Sequence, residues 1–381
     1  MTEASNPIHR LLSAAAVRER AHEMLDLALE GKVGGWRVDL ARLGDAAERT
    51  AAATRERYPD LAIPFHARWR HFVAGEPALR GAAAFDLVIL SVLLDAGAGP
   101  GWRFADPVSG ATLSRSEGLA VASQRMVEAG ALGDLEALDT ETLGHGFQVS
   151  EANPLAGLEG RAALLRRLGA QVRARPDLFP GGRPGGLYEV LAARAEGGRL
   201  PAPAILELLL EALGPIWAGR LEIDGVALGD CWRHPAIRRD DKSDGLVPLH
   251  KLSQWLAYSL VEPLEAEGIE IVDIDGLTGL AEYRNGGLFV DTGVLALADP
   301  ADVDREHQVS DPLIVAWRAM TVALLDRLAP LVRERLGVSE ESFPLARMLE
   351  GGTWVAGRRI AAELRPGGGP PFTIISDGTV F

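Results

Sequence analysis

Apolar residues recur every three to four positions along most of this chain, and that spacing predicts helices. The pattern places them at 13–30, 44–57, 79–95, 116–129, 159–174, 203–212, 246–267, 311–336 and 344–364. Boundary signals agree with several of these. Asp311-Pro312 reads as an N-cap followed by a first-turn proline, and Gly130, Gly268 and Gly337 stand where helices should stop. Period-two segments are few and short, at 221–228, 269–274, 287–291 and 372–376. The run "DLVILSVLLDAG" (86–97) is apolar around its whole circumference and belongs at the centre of a core. Its stretch "LVILSVLL" is too short to cross a bilayer. The fold expected is mainly α with a few short strands, arranged as an N-terminal arm (1–78) and a helical core (79–381).

Composition sharpens this picture. Of 381 residues, 47% are hydrophobic and 24% charged, a globular balance. A formal charge of −14 argues against coating nucleic acid, which requires a basic surface. One cysteine, Cys231, excludes an internal disulfide and a thiolate-rich metal site. No basic-then-apolar leader opens the chain, so the expected location is the cytoplasm, away from membranes. Phosphate-loop, His-Glu-x-x-His and Gly-x-Ser-x-Gly patterns do not occur, and the eight histidines lack metal-ligand spacing. No metal or cofactor is expected, and the oligomeric state is not legible.

Carboxylates carry the remaining chemistry. In "VPLHKLSQWLAYSLVEPLEAEG" (247–268), Leu249, Leu252, Leu256 and Leu260 form one stripe. Lys251, Gln254, Trp255, Tyr258 and Glu262 form another, both aromatic and polar. That second stripe fits a pocket wall or a solvated face with two rings at its rim. Next comes "IVDIDGLTGLAEYRNGG" (271–287), where Asp273 and Asp275 alternate about Ile274 and Glu282, Tyr283 and Arg284 precede a glycine pair. Glu282 lies among Leu277, Leu280 and Ala281; apolar surroundings suit a carboxyl to proton transfer, while Arg284 or Lys251 nearby would keep it charged. A buried ion pair with a capped turn accounts for the same residues. In "IPFHARWRHF" (63–72), His66, Arg68, Arg70 and His71 interleave with Phe65, Trp69 and Phe72, fitting a phosphate site or a docked arm with solvated arginines.

The segments "IPFHARWRHF", "FDLVILSVLLDAGAGPGW", "SEGLAVAS", "NPLAGLEGRAALLRRLG", "HKLSQWL", "DGLTGLAEYRNGGLFVD", "LEGGTWVAGRRIA" and "ISDGTVF" together resemble the uracil-catabolism protein four family, over residues from about 10 to the end. That resemblance implies a role in the pyrimidine route that begins by making UMP from uracil and ends by releasing urea. From about residue 85 onward the chain is also similar, more faintly, to the nucleotide N-glycosylases of queuosine salvage, whose helical fold is related to DNA glycosylases. Their Lys-Arg-Ala-Gln-Ile-Leu motif resembles "KLSQWL" here and sets their active-site lysine at Lys251. Their Ile-Thr-Met-Phe-Ala-Asp-Tyr-Arg motif resembles "LTGLAEYR" and sets their catalytic aspartate at Glu282, with the aspartate of the preceding strand at Asp273. Two departures stand out: glutamate replaces aspartate, and Asn-Gly-Gly follows Arg284 where those enzymes have Leu/Val-Pro-Gln.

The resemblances imply hydrolysis of the N-glycosidic bond of a ribose 5-phosphate derivative, a small-molecule substrate of ribosylurea type. Glu282, Lys251 and Asp273 are the expected catalytic residues. Asp275, Tyr283, Arg284, Gln254, Trp255, His250 and Arg70 are expected to bind substrate. An amide or ring-opening hydrolase of the same pathway, or a non-enzymatic scaffold, are the alternatives.

Overall fold

The computed structural model describes residues 6–72, 79–95, 97–99 and 101–375. The helices follow the apolar periodicity closely. Ser13, whose side chain accepts the N–H of Ala16, caps α1 (Ala14–Leu29), which buries Val17, Ala21, Met24, Leu25 and Ala28 along one stripe. There follow α2 (Leu43–Arg57), α3 (Gly81–Leu93), α4 (Arg115–Glu128), α5 (Thr140–Gly146), α6 (Leu158–Ala174), α7 (Leu187–Arg194), α8 (Ala202–Leu213) and α9 (Lys251–Glu265). Then come α10 (Tyr283–Asp291), α11 (Pro312–Leu336), α12 (Leu345–Met348) and α13 (Trp354–Leu364). A π-helical turn, Leu349–Thr353, joins the last two. No described helix is long and apolar enough to cross a membrane.

The chain forms two compact units. The first takes residues up to His66, Arg220–Gln254 and Asp273 through the last described residue; the second takes Ala67–Gly219 and Trp255–Val272. The boundary expected at residue 78 lies outside the described residues. In the first unit, α1 and α2 pack on α11, and α10 packs on α13. Short strands trim it. Trp36–Val38 pairs antiparallel with Leu295–Leu297, and Cys231–Arg233 pairs antiparallel with Leu246–Pro248. Glu222–Ile223 and Val226–Ala227 form a hairpin in which Asp224 and Gly225 both have positive φ, as a two-residue turn requires. Glu306–Gln308 and Thr373–Ile375 run parallel.

The second unit is built around α3, buried on nearly every side as its composition requires, with α4 and α7 packed against it. Arg161 of α6 donates to the carbonyls of Leu94 and Gly97 beyond the end of α3, a cation where the helix dipole is negative. Its strands are Phe104–Ala105 with Thr112–Leu113, and Arg199–Pro201 parallel to Glu270–Val272.

Two expectations need correcting. Residues 287–291 are helical, the second half of α10, because Glu282 caps that helix and carries its first turn through the glycine pair. The glycines are there for contact, not flexibility: a Cβ on Gly286 would come within 2.6 Å of the Trp317 ring. The helix expected over 246–267 starts only at Lys251, because Leu246–Pro248 is committed to a strand pair.

Candidate functional site

Asp230 is the hub of the first unit. It precedes the strand Cys231–Arg233, whose partner strand leads straight into α9, so the pairing sets Asp230 against the start of that helix. The Asp230 carbonyl accepts the N–H groups of Leu249 (2.9 Å) and His250 (3.1 Å), and its carboxylate accepts the N–H of Lys251 at 3.0 Å. A helix start is thus satisfied from outside its own sequence.

The same carboxylate receives a forked pair of bonds from Arg318, both 2.8 Å, and one from the Trp232 indole at 2.6 Å. Arg318 projects from the second turn of α11 and is 1% exposed. Burial pushes the Asp230 carboxyl up, but the Arg318 charge and these hydrogen bonds outweigh it and hold the group well below the usual carboxylate range. Asp230 is a fixed anion, unsuited to passing protons at neutral pH.

Arg318 reaches further. Its Nε donates to the Ala281 carbonyl at 3.3 Å, in the turn that ends at Glu282. One helical turn into α9, Gln254 makes a second fastening: its amide nitrogen donates to the Thr278 hydroxyl, and its amide oxygen accepts the Thr278 N–H at 2.8 Å. The first turn of α9 and the segment 278–282 are therefore tied at two points. Lys251 and Glu282 flank one buried ion pair, the first through its own N–H and the second through the adjoining carbonyl.

Glu282 is the N-cap of α10 and is 8% exposed. Its two oxygens accept the N–H groups of Arg284 (2.9 Å) and Asn285 (2.8 Å). Neutral donors hold it, which fixes the carboxylate without cancelling its charge, and each oxygen keeps a further lone-pair direction. Asn285 is locked as well, its Nδ2 donating to the Leu280 carbonyl at 3.1 Å. Arg284 donates to the Gly368 carbonyl at 2.8 Å and lies over the Tyr283 ring, 4.6 Å from its centroid. His250 is 1% exposed with φ of +46°, and its Nε2 donates to the Leu11 carbonyl at 2.9 Å. Burial pushes its pKa down, so the ring is neutral and Nδ1 is an acceptor.

The remaining expected residues take no part in the bonds just described. Asp273 is exposed, with φ of +53°. Asp275 spends its carboxylate on the Leu345 N–H (2.7 Å) and on Arg333 (2.9 Å), fastening α12 and α11; burial nevertheless pushes its pKa up. Trp255 and Arg70 belong to the second unit. There the Trp255 ring lies beneath the Arg68 guanidinium at 4.9 Å, and Arg70 pairs with Glu262. Gln254, Trp255 and Tyr258 are all buried, so the polar stripe of α9 is not a solvated face.

Sequence reasoning missed Asp230, Arg318 and Thr278. One signal was available: an arginine inside "PLIVAWRAMTVALL" has to find a buried anion.

A family model described as "Protein of unknown function (DUF1688)" matches residues 10–381. The chain belongs to this family. It is 39% identical to "Protein urg3" of Schizosaccharomyces pombe (strain 972 / ATCC 24843) over 412 residues, covering 98% of this chain and 99% of that one. It is 36% identical to "Uracil catabolism protein 4" of Lachancea kluyveri over 441 residues, covering 99% of each.

Proposed function

We propose that this protein is a hydrolase of uracil catabolism that cleaves the N-glycosidic bond of a ribosylurea-type 5-phosphate, giving ribose 5-phosphate and urea. The name of the Lachancea kluyveri relative, "Uracil catabolism protein 4", supports the pathway. The double fastening of α9 to the turn before α10 carries the choice of bond, because it gathers Lys251 and Glu282 about a single buried pair.

The chemistry follows from what each group offers. Breaking the C1′–N bond sends its electron pair to nitrogen and leaves positive charge on the sugar ring. A carboxylate whose charge is not cancelled stabilises that charge, and Glu282, held by two neutral donors, is such a group. Water supplies the oxygen that bonds to C1′, and the departing urea nitrogen takes up a proton. Lys251 grips the phosphate or a sugar hydroxyl as a point charge. The Asp230–Arg318 pair positions both, and its internal neutralisation leaves the Glu282 field intact.

The deciding experiment incubates purified protein with ribosylurea 5′-phosphate and, separately, with UMP, and follows urea, uracil and ribose 5-phosphate. Urea and ribose 5-phosphate in equal amounts are expected from the first and nothing from the second. Uracil from UMP would make the protein a nucleotide nucleosidase. Absence of product from both would overturn the reading.

A further inference from the structure

Asn285 carries one atom that nothing explains. Its N–H donates to Glu282 and its Nδ2 to the Leu280 carbonyl, yet its side-chain oxygen has no hydrogen-bond partner among the described residues. The residue is 2% exposed. Flipping the amide would not help, since it would set that oxygen against the Leu280 carbonyl, acceptor facing acceptor. Donors on α11 beside the neighbouring Gly286 are already spent, the Trp317 indole on the Gly286 carbonyl (3.1 Å) and the Thr321 hydroxyl on the Trp317 carbonyl (2.8 Å). A buried acceptor left in this state is costly, and it belongs to a residue one helical turn from Glu282 whose backbone N–H donates to that carboxylate.

We infer that Asn285 is a specificity-determining residue of the Glu282 site, its side-chain oxygen accepting a hydrogen bond from a donor on the ligand. This rests on the glycosidase reading for the ligand's identity, though not for the existence of the acceptor. Two groups of a ribosylurea phosphate have the required chemistry, a ribose hydroxyl and the N–H of the leaving urea. Either would pair an O–H or N–H with an oxygen that otherwise has no partner. A ligand lacking the donor would leave that oxygen unpaired and be rejected, which is how a buried polar group discriminates.

The test uses the full chain with Asn285→Leu, which conserves volume and removes the acceptor together with the Nδ2 donor. Turnover of ribosylurea 5′-phosphate and calorimetric binding of ribose 5-phosphate are measured with both proteins. Expected is a fall in kcat/KM of about tenfold or more, with a modest loss of thermal stability because the Leu280 carbonyl loses its Nδ2 partner. If a ribose hydroxyl is the donor, ribose 5-phosphate binding weakens in parallel. If the urea N–H is the donor, ribose 5-phosphate binding is unchanged and only the intact substrate suffers. A variant within about twofold of the unaltered protein on both measurements overturns the assignment while leaving the glycosidase reading intact. Conversely, absence of turnover with ribose 5-phosphate binding that Asn285→Leu weakens would sink the reaction and keep the residue's role. An unaltered protein that does neither overturns both. Should the leucine variant fail to fold, Asn285→Ala is measured in the same two assays.

Discussion

Each unit holds a fully buried arginine paired with an aspartate, and the two pairs are used differently. Arg68, in the second unit, is 0% exposed; it pairs with Asp95, donates to the Ser116 carbonyl at 2.8 Å and covers the Trp255 ring. It fastens the segment Arg68–His71 to the end of α3, the start of α4 and the side of α9. Burial lowers its pKa although Asp95 opposes the shift. Arg318, in the first unit, also meets an aspartate, but its forked bonds and its Nε end beside the two residues proposed for chemistry. The same residue type, equally buried, holds a scaffold together in one place and ties together the residues proposed for chemistry in the other. The difference lies in what its partners are attached to.

The largest effect expected is on chemistry. Glu282→Gln should lower turnover of ribosylurea 5′-phosphate by about a hundredfold or more. It should cost only about 0.5–2 kcal/mol of stability, because an amide can replace one of the two capping acceptors. Retained turnover would strip Glu282 of its role and leave Arg318 a scaffold residue like Arg68.

Removing each arginine tests the comparison directly. Arg318→Met abandons Asp230 as an unpaired buried anion and should cost about 3–5 kcal/mol, read from denaturant midpoints. Arg68→Met leaves Asp95, which still receives the Ser116 hydroxyl at 2.6 Å, and should cost less, about 1–3 kcal/mol. Arg318→Lys should fold but show depressed kcat, since an ammonium cannot reproduce the fork and the third bond together. Arg68→Lys should leave kcat unaltered. If both lysine variants lower kcat equally, the distinction between the two arginines disappears.

Acid should separate the units more gently. His234 is pushed down to about 4 by burial, and its Nδ1 accepts the Ala236 N–H at 3.1 Å. Burial lowers His250 in the same direction, and both belong to the first unit. An unfolded histidine takes up its proton near pH 6.5. Between there and about pH 4 the unfolded chain binds more protons than the folded one, so stability falls as pH falls through that window. Amide exchange at pH 5 should therefore quicken in the first unit before the second. His234→Asn, which keeps an acceptor for Ala236, should flatten part of that decline.

The smallest effect concerns Cys231. Burial first, and then the neighbouring Asp230 charge, push its thiol far above the ordinary range, so iodoacetamide at pH 8 should leave it unmodified until the first unit opens.

The sequence made the helices legible because their cores are stripes: α1, α2, α4, α6 and α11 begin and end within about two residues of the spacing that announced them. Short α5 and α7 escaped because so few turns leave no period to read. α10 escaped for a different reason. Asn-Gly-Gly speaks locally for a flexible turn, whereas the helix is imposed by a cap behind it and by Trp317 pressing on Gly286. Within the site, Lys251, Gln254 and Glu282 were legible through motif likeness. Their organiser was not, since Asp230 and Arg318 are 88 positions apart and only folding introduces them.

The interleaved course of the chain bears on how it is made. The strand Trp36–Val38 finds its partner only at Leu295–Leu297, a separation of about 260 residues. At ribosomal speeds of about 5–20 residues per second, that first strand waits ~13–50 s for the one it pairs with. Most of the second unit, Ala67–Gly219, emerges in the interval as a nearly continuous stretch able to begin folding. Nascent α1 and α2, meanwhile, hold out apolar stripes meant for a helix not yet synthesised, which makes the opening sixty residues the natural client of a chaperone.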